Sequence, residues 1–92
     1  MAYALAKFKV ADYERWKQGF AAGEEIRKAA GSRGAFAFRS ASDPNEIILL
    51  IDWDNLETGR QVGNSPRILD LQQASGVISP FEPYQEADQF ES

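Results

Sequence analysis

Five consecutive aliphatics run from Ile47 to Ile51, inside the stretch Glu-Ile-Ile-Leu-Leu-Ile-Asp-Trp-Asp from Glu46 to Asp54. Successive side chains of a strand point to opposite faces of a sheet. A run of aliphatics without alternation therefore predicts a strand buried on both faces. Helices of the same chain can cover one face. A chain of 92 residues supplies too little material to cover the other comfortably, which points to a partner subunit.

The flanking segments show the two other periodicities. Tyr3 to Val10 alternates, with Ala4, Ala6, Phe8 and Val10 on one face, and predicts a first strand. Asp12 is the expected N-cap of a helix from Tyr13 to about Ala30 that Gly31 stops. Tyr13, Trp16, Phe20, Gly23 and Arg27 form one stripe of that helix. Arg33 to Ser40 predicts a second strand, joined to the third by a turn at Ser42-Asp43-Pro44-Asn45. With the turn placed on residues 42–45, Phe38 faces Leu49 and Phe36 faces Ile51, and Ala35, Ala37 and Arg39 share a face with Ile48, Leu50 and Asp52; a one-residue slip changes this assignment. Asp54 or Asn55 caps a helix from Leu56 to Val62. Gly63-Asn64 breaks it, and Ser65-Pro66 restarts it to Ser75, with Ile68, Leu71, Gln72 and Ser75 inward. Pro80 to Asp88 reads as an edge strand, since its prolines cannot donate to a ladder.

The predicted order is βαββαβ. Right-handed crossovers turn it into an α+β, ferredoxin-like fold: an antiparallel four-stranded sheet in the order 4-1-3-2, with both helices on one face. The chain reads as a single domain over residues 1–92. A domain of this size buries only roughly 60–65% of its extended surface, so association would help it. Two sheets packed through their helix-free faces, as a homodimer, would cover the remaining side of the third strand.

Composition narrows the chemistry. Apolar and charged fractions of 43% and 26% are ordinary for a globular protein. No apolar run approaches the ~20 residues of a membrane span. Met1 leads straight into a strand-like pattern, so no signal peptide and a cytoplasmic location are expected. Absent cysteine excludes disulfides, thiolate metal sites and cysteine nucleophiles. Absent histidine removes the commonest base and metal ligand, leaving carboxylates alone for any metal; neither metal nor cofactor is expected. A net charge of −4 argues against nucleic acid. Residues 1–39 hold eight Lys/Arg against four Asp/Glu, and residues 40–92 hold two against ten, which is expected to be used up largely by pairing within the fold.

Asp12-Tyr13, Trp16-Lys17, Phe20, Arg27 and Gly31 carry a family likeness, continued by Asp43-Pro44-Asn45, Trp53, Leu56-Glu57, Ser65-Pro66 and Ala74-Ser75-Gly76-Val77. Over nearly its whole length the chain resembles the small dimeric α+β barrel proteins related to antibiotic biosynthesis monooxygenases, some of them labelled polyketide cyclases. The resemblance implies a homodimer whose strands close into a barrel, with a cavity in each subunit between sheet and helices. It also implies cofactor-free chemistry, with asparagine, tryptophan, tyrosine or arginine around an aromatic substrate. Haem-degrading relatives need a histidine ligand, which is absent here.

The residues themselves suggest where such a cavity lies. Ala4, Ala6, Ala35 and Ala37 on the helix-facing surface leave room that either the helices or a ligand must fill. Arg27 and Asp52 are the candidate catalytic pair, with Asp52 a base if burial raises its pKa and Arg27 or Arg39 a holder of an anion or enolate. Trp16, Gly23, Arg39, Asn64 and Gln72 are the candidate ligand contacts. The alternatives are structural. Arg39 and Asp52 could form a salt bridge, the tryptophans could be core, and Gly23 could mark a close helix–sheet contact. The expected function is then an enzyme acting on a small aromatic or polyketide-like compound, a non-catalytic ligand-binding or stress-related dimer, or a structural subunit with a filled core.

Overall fold

The computed structural model describes residues 2–91. Its elements are β1 (Ala2–Lys9), α1 (Tyr13–Ala22), α2 (Glu24–Ala29), β2 (Ser32–Arg39), β3 (Glu46–Trp53), α3 (Leu56–Gly63), α4 (Pro66–Ala74) and β4 (Glu82–Tyr84). The four strands form one antiparallel sheet in the order β2-β3-β1-β4, the predicted order seen from the other edge. The aliphatic strand β3 is central, paired with β1 and β2 along its length.

Local chemistry sets the helix ends. Asp12 lies in extended backbone and its carboxylate accepts from the Glu14 N–H, opening α1. Asn55 does the same for α3, accepting from Glu57 and Thr58. Gly76, at φ +81°, closes α4 in a Schellman motif, with Val77 N–H donating to Gln72 and Gly76 N–H to Gln73. The single helix expected over Tyr13–Ala30 is broken at Gly23, whose φ of −91° and ψ of 3° depart from helical values and whose N–H donates to Phe20.

The hairpin is offset by one residue from the expected pairing. The closing pair is Ser40–Glu46, so the loop takes residues 41–45, and the ladder matches Phe38 with Ile48, Ala37 with Leu49, Phe36 with Leu50 and Ala35 with Ile51. A one-residue slip exchanges faces. The four alanines therefore share the helix-facing surface with Ile47, Leu49 and Ile51. Phe36 and Phe38 stay on the helix-free face, where their neighbours on β3 are Ile48, Leu50 and Asp52 in place of Leu49 and Ile51.

The helices cover β1 and β3 on one side. Phe8, Val10, Trp16, Ile47 and Leu49 form the buried core there. On the other side, Phe36 is 61%, Phe38 55% and Ile48 37% exposed. The fourth strand is shorter than expected, Glu82–Tyr84 only, because Pro83 falls inside it and residues 85–91 leave the ladder. Lys7 pairs with Glu46 at 3.2 Å, Lys9 with Asp43 at 3.7 Å, and Arg33 with Asp54, so the basic first part of the chain is matched against the acidic second part. Among the described residues no helix is long and apolar enough to cross a membrane.

Candidate functional site

A cavity of about 190 Å³ lies between the helices and the sheet. Its floor is Ala4, Ala6, Leu49 and Ile51, the small and aliphatic side chains that the register turns inward. One wall is the predicted stripe of α1, and the other is built from Ile68, Leu71 and Gln72 of α4. Trp53 closes the sheet end against α3.

The α1 wall is a ladder of rings. The spacing of Tyr13, Trp16 and Phe20 places neighbours one helical turn apart. Tyr13 and Trp16 have centroids 5.7 Å apart, and Trp16 stacks on Phe20 at 5.2 Å. A guanidinium caps each end: Arg39 lies 4.1 Å over Tyr13 and Arg27 3.6 Å over Phe20. Both contacts are cation–π, but only Arg27 reaches the cavity. Arg39 donates to the Pro44 carbonyl at 2.9 Å, which fixes it near the hairpin loop.

Glycines set the width of the cavity. At Gly59 an added Cβ would come within 2.8 Å of the Trp53 indole, so a bare backbone is what lets that ring lie flat under α3. At Gly23 the added atom would lie 2.8 Å from Arg27 Nη1, and at Gly19 it would strike Ser75. The break at Gly23 and the placement of Arg27 are thus one feature: the guanidinium folds back into the space that a side chain would fill.

The lining is apolar except for Arg27, Gln72 and Ser75. The Ser75 hydroxyl donates to the Leu71 carbonyl, and Arg27 Nη1 donates to the Phe20 carbonyl at 2.8 Å. Among the described residues Arg27 forms no ion pair, and neither its remaining N–H groups nor the Gln72 amide makes a hydrogen bond. Burial pushes the Arg27 pKa below its ordinary value, and nearby Glu24 only partly opposes this; guanidinium remains charged at neutral pH all the same. A half-buried cation without a carboxylate is incompletely compensated, and an anionic ligand would compensate it.

Of the residues singled out by sequence, the structure brings Trp16, Gly23, Arg27 and Gln72 to the cavity. It does not bring Asp52, Arg39 or Asn64 there. Asp52 lies on the helix-free face opposite Gly34, a consequence of the register, and its Oδ1 is buried with no hydrogen-bond partner among the described residues. Arg39 and Asp52 are on opposite faces and cannot pair. Asn64 is the exposed C-cap of α3, bonded through its backbone N–H to Arg60. The lining holds no carboxylate able to take a proton. Gly19, Gly59, Val62 and Phe81 line it without having been singled out; the sequence signal for the two glycines was their presence in helix interiors, where each costs roughly 1 kcal/mol against alanine.

No protein-family model matches the chain, and no curated protein matches it in sequence. Solved structures do match. A protein from Bordetella bronchiseptica designated an antibiotic biosynthesis monooxygenase superposes with a TM-score of 0.76 at 17% identity, covering 96% of each chain. SnoaB, a cofactor-independent oxygenase from Streptomyces nogalater, gives 0.73 at 14% identity over 99% of this chain and 97% of its own. A Deinococcus radiodurans protein with the same designation as the first gives 0.61 at 15%, over 100% and 98%. At these identities the likeness establishes the fold. It is the fold of the antibiotic biosynthesis monooxygenase-like proteins to which the sequence resemblance pointed.

Proposed function

We propose that the chain is a homodimer that takes a small aromatic compound into the cavity between sheet and helices and oxygenates it without a cofactor. The observation that carries this reading is the lining: apolar walls, aromatic rings and one half-buried arginine with no carboxylate partner. The fold shared with SnoaB, named as a cofactor-independent oxygenase, supports the reaction class.

The lining also limits how such a reaction could run. With no base in the cavity, the substrate must ionise largely by itself, helped by the Arg27 charge. The ring carbon then supplies the electrons and dioxygen accepts them. A ring methylene becomes a carbonyl: one oxygen atom stays on carbon, and the other leaves as water with the two hydrogens. The protein's part is to bind the planar anion, hold it and exclude water. Oxygen uptake with 1-naphthol, whose keto tautomer carries such a methylene, tests this. One dioxygen should disappear per 1,4-naphthoquinone formed, above the protein-free rate.

A second reading is favoured by the same missing base. A cavity with no proton-accepting side chain suits a non-catalytic binding protein equally well, and binding of 1-naphthol without oxygen uptake would select it. The homodimer is supported by the helix-free face, where Phe36, Phe38, Ile48 and Leu50 form an apolar surface on the central and edge strands. A second copy laid against it would complete the double-sided burial of β3 that its aliphatic run predicts.

A further inference from the structure

The size of the cavity and the state of Arg27 together restrict the ligand further than the fold does. An apolar protein cavity of about 150 Å³ accommodates benzene, whereas drug-sized ligands occupy pockets of roughly 300–1,000 Å³. A cavity of about 190 Å³ lies near the lower of these. The cavity is partly open where it shares Ala4, Ala6, Leu49 and Ile51 with the groove beside Arg60 and Tyr84, and the part beneath the helices suits one or two fused rings. Its height is fixed by close contacts, with Trp53 under Gly59 on one side and Gly19 against Ser75 on the other. Neither wall can retreat without separating packed elements.

Arg27 supplies the second restriction. Nη1 is held by the Phe20 carbonyl, which fixes the plane of the guanidinium over the Phe20 ring. The Nε–H and Nη2–H pair donates to nothing among the described residues. That pair is the side-on fork that matches the two oxygens of a carboxylate. Arg27 also borders a second, more polar cleft between α2 and β2, shared with Lys28 and Arg33. Lys28 is already paired with Glu24 at 3.5 Å and Arg33 with Asp54, so Arg27 is the cation left for a ligand.

We propose that the ligand is an arene carboxylate of one or two fused rings, seated with its rings against Trp16, Phe20 and Trp53 and its carboxylate on the free fork of Arg27. This rests on the assignment of the cavity as the ligand site and adds the ring count and the charge.

The test is a calorimetric titration of the full protein with 2-naphthoate, its neutral isostere 2-naphthamide, and the three-ring 2-anthroate, with tryptophan emission followed in parallel. Trp16 and Trp53 are the only tryptophans and both line the cavity, so a ligand bound there changes their emission. The proposal expects 2-naphthoate to bind roughly ten- to a hundredfold more tightly than 2-naphthamide, the size of one charge-assisted pair. It expects 2-anthroate to bind at least about tenfold more weakly than 2-naphthoate. In Arg27→Met the preference for naphthoate over naphthamide should vanish. Equal affinities for naphthoate and naphthamide would overturn the charge assignment and leave the cavity as the site. Equal affinity for anthroate would overturn the ring count, and would mean that the open groove beside Arg60 and Tyr84 belongs to the site. Binding of none of the three, with unchanged emission, would overturn the cavity assignment itself. The comparison of the three ligands on the unmodified protein stands whether or not the variant folds.

Discussion

Replacing Gly59 by alanine adds one methyl group to the inner side of α3. The new Cβ would sit 2.8 Å from three atoms of the Trp53 indole, well inside van der Waals contact. Trp53 is only 3% exposed and ends the central strand, so the ring cannot swing outward; it must tilt into the cavity or lift α3. Overpacking of this kind costs about 1–3 kcal/mol, while alanine regains roughly 1 kcal/mol of helix propensity over glycine. The net effect is a loss of up to roughly 2 kcal/mol, and each 1 kcal/mol lowers the Tm of a domain this size by about 4–8 °C. Gly63, one turn later on the same helix, provides the control. Its added Cβ meets nothing within 4 Å and its φ is not positive, so alanine there should add about 0.4–1 kcal/mol. Urea unfolding of both variants at one protein concentration gives the difference directly. Gly59→Ala should also weaken 2-naphthoate binding, because the tilted indole takes up cavity space. A Gly59→Ala protein as stable as Gly63→Ala would refute the packing of Trp53 under α3.

Other consequences follow from the same geometry. Phe36→Glu combined with Phe38→Glu places two carboxylates on the helix-free face; if the protein forms the proposed dimer, sedimentation should show the variant as a monomer, and an unchanged dimer would locate the interface elsewhere. Gly19→Ala puts a Cβ 1.7 Å from Ser75 Oγ and should cost roughly 3 kcal/mol, of which Ser75→Gly in the same chain should return at least about 1 kcal/mol in a double-mutant cycle; strict additivity would deny the α1–α4 contact. The Glu46 carboxylate holds the Lys7 pKa above 10.5, and the hydrogen bond to Glu82 holds that of Tyr84 above 10.0. Both groups bind their proton more tightly when folded, so their contribution is complete below about pH 10 and lost as pH rises through the folded values. Urea midpoints compared at about pH 8 and about pH 11 should fall, and fall less in Lys7→Met; an equal fall in both would remove the Lys7–Glu46 pair from the explanation.

The fold was legible because its largest signals are periodic. Ile47–Ile51 marked the centre of the sheet, and the Tyr13–Trp16–Phe20 spacing marked a helix face, each over enough residues that a single exception could not hide it. The site was legible only in part. Asp43-Pro44-Asn45 locates the hairpin turn, but not whether the loop takes four residues or five. That one residue moved Asp52 from the helix side to the open face and took the supposed base out of the cavity. The alanines kept their side because the face they share was inferred from the need for room and not from the turn. The stripe ending in Gly23 and Arg27 was read correctly, but the helix break between α1 and α2 was not, since nothing local distinguishes a tolerated helical glycine from one that bends the chain. Gly59 and Gly19 speak only through distant partners, Trp53 and Ser75, which no window of sequence contains.

A crystal structure of the protein with 2-naphthoate would show where a ligand sits. The geometry predicts the ring system between the Trp16–Phe20 ladder and Trp53, with both carboxylate oxygens on Nε and Nη2 of Arg27. Naphthoate lying on the helix-free face instead, or a cavity closed by its own side chains while ligand binds elsewhere, would contradict the assignment of this cavity as the working site.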